Sequence, residues 1–72
     1  MSSVLNQPDD LLKIALNKKI KIRVKDSKDI IGILQAFDEH YNILLSNANE
    51  QGKDIGTLYI RGDVVILLSI IN

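Results

Sequence analysis

Two short polar segments of this 72-residue chain carry the side chains best suited to bind a ligand. His40 and Asn42 stand two residues apart at the start of an apolar stretch, and Arg61 and Asp63 have the same spacing before a later one. Because a strand projects residues i and i+2 from the same side, each pair can face one ligand. An imidazole, a guanidinium and a carboxamide together predict a site for a flat nucleobase.

The polar edge of the site predicts which base it prefers. The imidazole ring of His40 and the planar guanidinium of Arg61 offer surfaces for stacking, and the carboxamide of Asn42 carries an acceptor and donors in one plane. Uracil presents an N–H flanked by carbonyl oxygens, so this amide can accept from the N–H and donate to an oxygen. Cytosine lacks that N–H, and we therefore expect a preference for uracil.

Neighbouring residues have supporting roles in this interpretation. We expect Asp63 to orient Arg61, since its carboxylate would repel a phosphate, and Asp38 to hydrogen-bond the backbone or side chain of Asn42. Gly62 is expected to adopt a positive φ in a tight turn and to let a ligand approach the backbone. Each motif alone is more often a surface histidine or an ordinary turn, and only their combination points to a site.

A second interpretation is enzymatic. His40 with Asp38 would act as a general base in RNA cleavage, because imidazole titrates near neutral pH. No partner acid or nucleophile is evident, so we favour binding and expect no enzyme activity. The chain has no Cys, which removes disulfides and thiolate metal sites, and we predict neither a metal nor a cofactor.

Hydrophobic periodicity predicts the elements that position these residues. Residues 1–7 are expected to be flexible, a short amphipathic helix is predicted over residues 8–17, and strict alternation from Lys19 to Lys25 predicts a strand. A turn at residues 26–29 and a variable polar loop at residues 47–54 separate further strands, which are predicted at 30–37, 41–46, 55–60 and 64–71. Gly32 marks a sharp bend. The predicted fold is mainly β, a short helix followed by a strongly bent five-stranded antiparallel sheet that forms a small barrel.

The size and composition of the chain predict self-association. A domain this short buries only about 60% of the surface that its unfolded form exposes. Apolar residues make up 46% of the chain but include only one Phe and two Tyr, so the core must be aliphatic. The last strand is apolar on both faces, and such an edge is an aggregation hazard unless an identical neighbour pairs with it. Repeated head to tail, that contact closes a ring.

Charge and hydropathy narrow the range of partners. The longest apolar run, Val64 to Leu68, is too short to span a membrane, and no signal peptide is evident, so we expect a cytoplasmic protein without a membrane partner. Net charge is zero, but residues 1–35 hold seven Lys/Arg against four Asp/Glu, and residues 36–72 hold two against five. The basic face of the first strand is either solvated or a second RNA contact, which the sequence leaves open; its residues are Lys19, Lys21, Arg23 and Lys25.

The same residues carry a family resemblance. The chain resembles Sm-like (LSm) proteins, especially the archaeal ones: residues 19–46 resemble the first Sm motif, with Gly32, Asp38 and Asn42 at signature positions, and residues 55–71 resemble the second, with Ile60-Arg61-Gly62. The resemblance implies one Sm-like domain over residues 1–72, assembled into a homo-oligomeric ring through strand four of one subunit and strand five of the next. Ile60-Arg61-Gly62 differs from the Tyr-Lys-His-like motif of the six-membered bacterial rings. We therefore predict a heptamer, with a hexamer or an octamer as alternatives.

The resemblance also implies a function. Uridine-rich single-stranded RNA would bind at the inner rim of the ring, with His40 and Arg61 sandwiching the base, Asn42 reading its edge, and Gly62 and Asp63 completing the pocket. Such a ring would act as a scaffold or chaperone in RNA processing, within ribonucleoproteins or other protein complexes. The alternative is a protein-interaction ring in which RNA binding is incidental. The site differs from the family at one position, because Tyr41 stands where many relatives carry Met. We expect this change to alter packing beneath the pocket.

Overall fold

A short helix packs against the core of a β-sheet. The computed structural model describes residues 8–71, so the segment 1–7, predicted to be flexible, lies outside the described residues. Helix α1 spans Pro8–Ala15 and ends before the predicted residue 17. The reason is that Asn17 adopts a left-handed φ of 66° and donates its backbone N–H to the carbonyl oxygen of Leu34 at 2.8 Å. Leu12 and Ala15 are the buried helix residues that join the core.

Five antiparallel strands follow the helix and form one bent sheet. They are β1 (Lys19–Val24), β2 (Lys28–Phe37), β3 (Ile43–Glu50), β4 (Lys53–Ile60) and β5 (Val65–Ile70). The strand order is β4-β3-β2-β1-β5, which places β4 and β5 at opposite edges although they are consecutive in the sequence. A 3-10 turn at Gly62–Val64 joins them. The predicted mainly β fold, with its N-terminal helix and five antiparallel strands, is confirmed.

Gly32 lies where β2 and β3 come closest. The pairing of the two strands is irregular between Ile31 and Ile33. A Cβ atom added at Gly32 would lie 3.2 Å from the Cα atom of Ala48 and 3.2 Å from the side chain of Leu45. Because ordinary side-chain contacts are longer than this, only glycine lets the two strands approach so closely at the bend.

The core is aliphatic, as predicted. Its largest fully buried side chains come from β1, β2 and β3, and they are Ile20, Ile22, Leu34, Ile43 and Leu45. Burying one such side chain stabilises a fold by about 1.5–3 kcal/mol relative to leaving it exposed. Since strand residues alternate between faces, burial of these positions directs the intervening polar residues outward.

The polar segment 47–54 is not the loop that the sequence predicted. Strand β3 continues to Glu50 and β4 begins at Lys53, so only Gln51 and Gly52 form the turn. Both residues adopt left-handed φ angles, 52° and 88°, the conformation of a tight hairpin turn. The Gly52 N–H also donates to Oδ1 of Asn49 at 2.8 Å. This turn keeps the polar residues on either side of it in paired strands. The sequence prediction was wrong because the polar composition of residues 47–54 is typical of a loop.

The remaining strand boundaries shift by small amounts. The first hairpin turn occupies residues 25–27 rather than 26–29, because Lys28 and Asp29 already pair with Val24 and Arg23. Strand β3 begins at Ile43, later than the predicted residue 41, and β5 spans 65–70 rather than 64–71. The hairpin of the first two strands is as predicted.

Candidate functional site

Asp38 organises the loop that carries His40 and Asn42. Its Oδ1 atom accepts hydrogen bonds from the backbone N–H of His40 at 2.9 Å and of Asn42 at 3.0 Å. Its Oδ2 atom accepts a third, from Nδ2 of Asn42 at 3.0 Å. The side-chain hydrogen bond from Asn42, followed by these backbone bonds, lowers the pKa of Asp38 below its usual value. The supporting role predicted for Asp38, hydrogen bonding to backbone and to Asn42, is present in the structure.

The second motif docks directly onto this loop. The backbone N–H of Gly62 donates to Oδ1 of Asn42 at 2.8 Å. A Cβ atom added at Gly62 would lie 2.1 Å from the carbonyl oxygen of His40 and 2.9 Å from the carbonyl carbon of Tyr41. The prediction of a positive φ at Gly62 is wrong, since the described glycines with a positive φ are Gly52 and Gly56. Glycine is required at position 62 because two backbone segments meet there.

The loop of His40 and Asn42 and the turn of Arg61 and Asp63 line an open surface pocket of about 370 Å³. Four of the predicted residues line it, and Tyr59 joins them; the full set is His40, Asn42, Tyr59, Arg61 and Asp63. The side chains of His40 and Arg61 are 77% and 73% exposed, so both planar groups are accessible to a ligand. The fold thus brings together the segment of His40 and Asn42 and the segment of Arg61 and Asp63. In the sequence these segments are related only by their equal spacing.

Asn42, which lines the pocket, keeps unused hydrogen-bonding capacity. Its Oδ1 already accepts from Gly62, and its Nδ2 already donates to Asp38. An amide oxygen has two lone pairs and an amide nitrogen has two N–H groups, so one acceptor site and one donor remain. That remaining pair matches the donor and acceptor that uracil presents on one edge.

Asp63 forms the predicted ion pair with Arg61. The Nη2 atom of Arg61 lies 3.0 Å from Oδ2 of Asp63, and the aspartate side chain is 61% exposed. An exposed pair of this kind contributes little to the free energy of folding, but it restricts the guanidinium. Its effect is therefore to orient the stacking plane of Arg61.

Tyr41 lies in the loop between Asp38 and Asn42. Its backbone adopts a left-handed φ of 63°, and its side chain is exposed. It is not among the residues that line the pocket, and its effect on packing beneath the pocket stays a prediction. Tyr41 supports the site through its main chain, which faces Gly62.

Tyr59 is the pocket residue that the sequence reasoning missed. The spacing rule applied to Arg61 and Asp63 also relates Tyr59 to Arg61, because the chain remains extended at Arg61, with φ −73° and ψ 141°. The side chain of Tyr59 is 58% exposed. The same i, i+2 rule could have found it.

The arrangement of Asp38 and His40 does not form a catalytic pair. Asp38 contacts the backbone N–H of His40 rather than its ring. The ring Nε2 lies 3.8 Å from Oε2 of Glu39, whose side chain is 88% exposed. A general base needs a partner that orients it, and neither carboxylate does so here. Within residues 8–71, no group of three or more His, Cys, Asp or Glu side chains could hold a metal ion.

The basic face of β1 is partly neutralised. Nε of Arg23 donates to Oδ1 of Asp29 at 2.9 Å, Nη2 donates to Oδ2 at 3.2 Å, and Nζ of Lys21 lies 3.8 Å from the same carboxylate. The hydrogen bond from Arg23 lowers the pKa of Asp29 below its usual value. Lys28 and Glu50, from opposite halves of the chain, also form an ion pair, at 3.7 Å. The pair of Lys28 and Glu50 therefore joins the basic half of the chain to the acidic half.

A family model described as the LSM domain matches residues 10–70. The chain belongs to the LSM family. This LSM chain is 38% identical over 69 residues to a Methanococcoides burtonii protein provisionally named an snRNP Sm-like protein, covering 89% of this chain and 96% of the relative. The Sm-like resemblance of the sequence is confirmed.

Solved structures share the LSM fold. A Pyrococcus abyssii Sm protein, solved in complex with a uridine heptamer, superposes with a TM-score of 0.84 and 30% identity, covering 90% of this chain and 99% of that one. The SmAP1 heptamer of P. aerophilum gives a TM-score of 0.83 and 30% identity, covering 100% and 97%. In the part of the LSM chain from residue 8 to residue 71, no helix is long and apolar enough to cross a membrane.

Proposed function

We propose that this LSM protein binds uridine-rich single-stranded RNA at a pocket formed by His40, Asn42, Arg61, Gly62 and Asp63. The observation that carries the proposal is the hydrogen bond from Gly62 to Asn42, which joins the two motifs and leaves one donor and one acceptor of the amide unused. Two accessible planar groups, from His40 and Arg61, line the same pocket. The complex of the Pyrococcus abyssii Sm protein with a uridine heptamer supports this ligand class.

The same proposal includes a ring of identical subunits, with seven as the expected number. The two edge strands expose large apolar side chains, Ile55 on β4 and Ile66 and Leu67 on β5. Pairing β4 of one subunit with β5 of the next would cover both edges and satisfy their backbone groups. The heptameric assembly of the related P. aerophilum protein supports the expected number.

Ring formation matters for affinity. Stacking one base on a protein side chain contributes about 1–3 kcal/mol, whereas even a millimolar complex requires about 4 kcal/mol. A single pocket therefore binds RNA weakly. Several identical pockets around one ring can engage one strand together, and the high effective concentration raises the overall affinity without new contacts.

The proposed role in the cell is that of a non-enzymatic scaffold or chaperone in RNA processing, acting in the cytoplasm. The contact of Asp38 with the backbone N–H of His40, rather than with its ring, supports binding without catalysis. Labelled oligo(U) incubated with the protein is expected to be recovered intact. Cleavage that is lost in a His40→Ala variant would replace this role with an enzymatic one.

Fluorescence anisotropy with oligo(U) and oligo(C) tests the ligand assignment. We expect tighter binding to oligo(U), loss of that preference in Asn42→Ala, and weaker binding to both in His40→Ala. Thr57→Val is the control, because Thr57 is exposed but does not line the pocket. Equal and weak binding of both oligonucleotides by the unmodified ring would contradict the proposed function.

A further inference from the structure

Tyr59 occupies an unusual position for an aromatic residue of this small chain. Strand β4 pairs it with Leu44, while the adjacent pair, Ile43 and Ile60, is buried in the core. Since neighbouring strand residues point to opposite faces, Tyr59 lies on the outer face of the sheet, where its side chain is 58% exposed. The core therefore does not explain why a tyrosine stands there.

Tyr59 lines more than one surface pocket. It lines the pocket of His40 and Arg61, and it also lines a neighbouring pocket of about 250 Å³ that includes Ala36, Phe37 and Leu44. That second pocket is lined mostly by apolar residues. Because Tyr59 is 58% exposed and lines the pocket of His40 and Arg61, it is accessible to a ligand there.

The spacing of Tyr59 and Arg61 suits a stacked base. The chain is extended through Arg61, so the two residues project from the same side, about 6.5 Å apart along the strand. Stacked nucleobases follow one another at about 3.4 Å, and a flat ring between two planar groups needs about twice that separation. The His40 imidazole comes from a different loop, so the two aromatic groups approach Arg61 from different elements.

We propose that Tyr59 contacts RNA directly and supplies a second aromatic stacking surface beside Arg61. This inference rests on the proposed function, since it concerns the same pocket. The contact requires the aromatic ring and not the hydroxyl group. It also gives the pocket a stacking surface that is independent of the charge of His40.

Two measurements test this role. The first is photo-crosslinking of the unmodified ring to oligo(U) that contains 5-iodouridine, with the attachment site mapped by mass spectrometry. We expect a crosslink at Tyr59. The second is fluorescence anisotropy with oligo(U). We expect Tyr59→Val to lower the affinity by roughly fivefold or more, which corresponds to the smallest free energy of one stacking contact. We expect Tyr59→Phe to retain the affinity. Thr57→Val is the matched control, because Thr57 is exposed on the same strand two residues earlier and lies outside the pocket.

The outcomes separate this inference from the proposed function. If oligo(U) binds, and His40→Ala weakens binding, but Tyr59 neither crosslinks nor changes affinity in Tyr59→Val, the inference fails and the function stands. If the unmodified ring does not bind oligo(U), the function itself fails. Native mass spectrometry of Tyr59→Val tests whether Tyr59 acts in ring assembly instead. If the ring dissociates in this variant and Tyr59 of the unmodified protein does not crosslink, Tyr59 belongs to the subunit interface and the inference is overturned.

Discussion

The Oδ1 atom of Asn42 accepts a hydrogen bond of 2.8 Å from the backbone N–H of Gly62, although the two residues are 20 positions apart in the sequence. This bond fixes the turn that carries Arg61 against the loop that carries His40. Asn42 is at the same time a structural anchor and the residue that offers its remaining donor and acceptor to a base. Changes that disturb the anchor should therefore affect both stability and binding.

A methyl group at Gly62 should separate the two motifs. The added Cβ would lie 2.1 Å from the carbonyl oxygen of His40, so Gly62→Ala forces the backbone apart, and we expect a loss of about 1–3 kcal/mol in the free energy of unfolding. Urea denaturation followed by circular dichroism measures this loss. Gly52→Asn is the control, because a Cβ at Gly52 meets no atom within 4 Å and asparagine tolerates its positive φ. Equal stability of Gly62→Ala and the unmodified protein would contradict the close contact.

Acid should weaken the loop through Asp38. Hydrogen bonds from Asn42 and His40 lower the pKa of Asp38 in the folded protein, below the unfolded value of about 3.9. The ionised carboxylate therefore stabilises the fold above about pH 4, and this contribution is lost as the pH falls through the folded pKa. Melting temperatures measured between pH 2 and pH 7 should decline less steeply below pH 4 in Asp38→Asn than in the unmodified protein.

Asp29→Asn is the comparison for the pH dependence of stability in Asp38→Asn. The pKa of Asp29 is also lowered, chiefly by the hydrogen bond from Arg23, so Asp29→Asn should remove a separate part of the acid dependence. Because Asp29 lies outside the pocket, this variant should keep its affinity for oligo(U) at neutral pH. An unchanged pH profile in Asp38→Asn would show that the loop hydrogen bonds do not contribute to stability.

A charge on the β5 edge should dissociate the ring. Leu67 is 58% exposed, and it lines a small surface cleft with Lys21 and Arg23. The glutamate in Leu67→Glu is solvated in a free subunit, but pairing with β4 of a neighbour would bury it against an apolar edge. Native mass spectrometry should show monomers, and oligo(U) affinity should fall because one pocket alone binds weakly.

Ile14→Glu is the matched control for that variant. Ile14 is also a large exposed apolar residue, 45% exposed, but it lies on α1 rather than on an edge strand. The ring should persist in this variant with its oligo(U) affinity unchanged. An intact ring in Leu67→Glu would exclude the β5 edge as the subunit contact.

The basic face of β1 should contribute little to oligo(U) binding. Asp29 already accepts two hydrogen bonds from Arg23, so Arg23→Ala should change affinity by less than about twofold, as is typical of exposed ion pairs. Arg61→Ala removes a pocket plane and should weaken binding by roughly fivefold or more. Anisotropy at two salt concentrations measures both variants. A larger effect of Arg23→Ala, with a reduced salt dependence, would reveal an outer RNA track.

Local patterns in the sequence were sufficient for most of the fold. The alternation from Lys19 to Val24 predicts β1 because burial of every second residue is a property of the strand itself. The cost of Gly32 inside a strand predicts a sharp bend for the same local reason, and the structure adds the close approach of Ala48 and Leu45. The segment 47–54 misled the prediction, because its polar composition resembles a loop and only the two-residue turn at Gln51 and Gly52 keeps it in paired strands.

The sequence by itself determined the chemical groups of the site, the aliphatic core and the five strands, since these depend on residue type and on short-range periodicity. The tertiary structure alone decided that Gly62 meets the loop of Asn42 and that His40 and Arg61 line one pocket. These contacts depend on strand register and on the crossing of β4 to the far side of the sheet from β5. Residues distant in sequence become neighbours only when the whole sheet bends, and no local pattern encodes that closure.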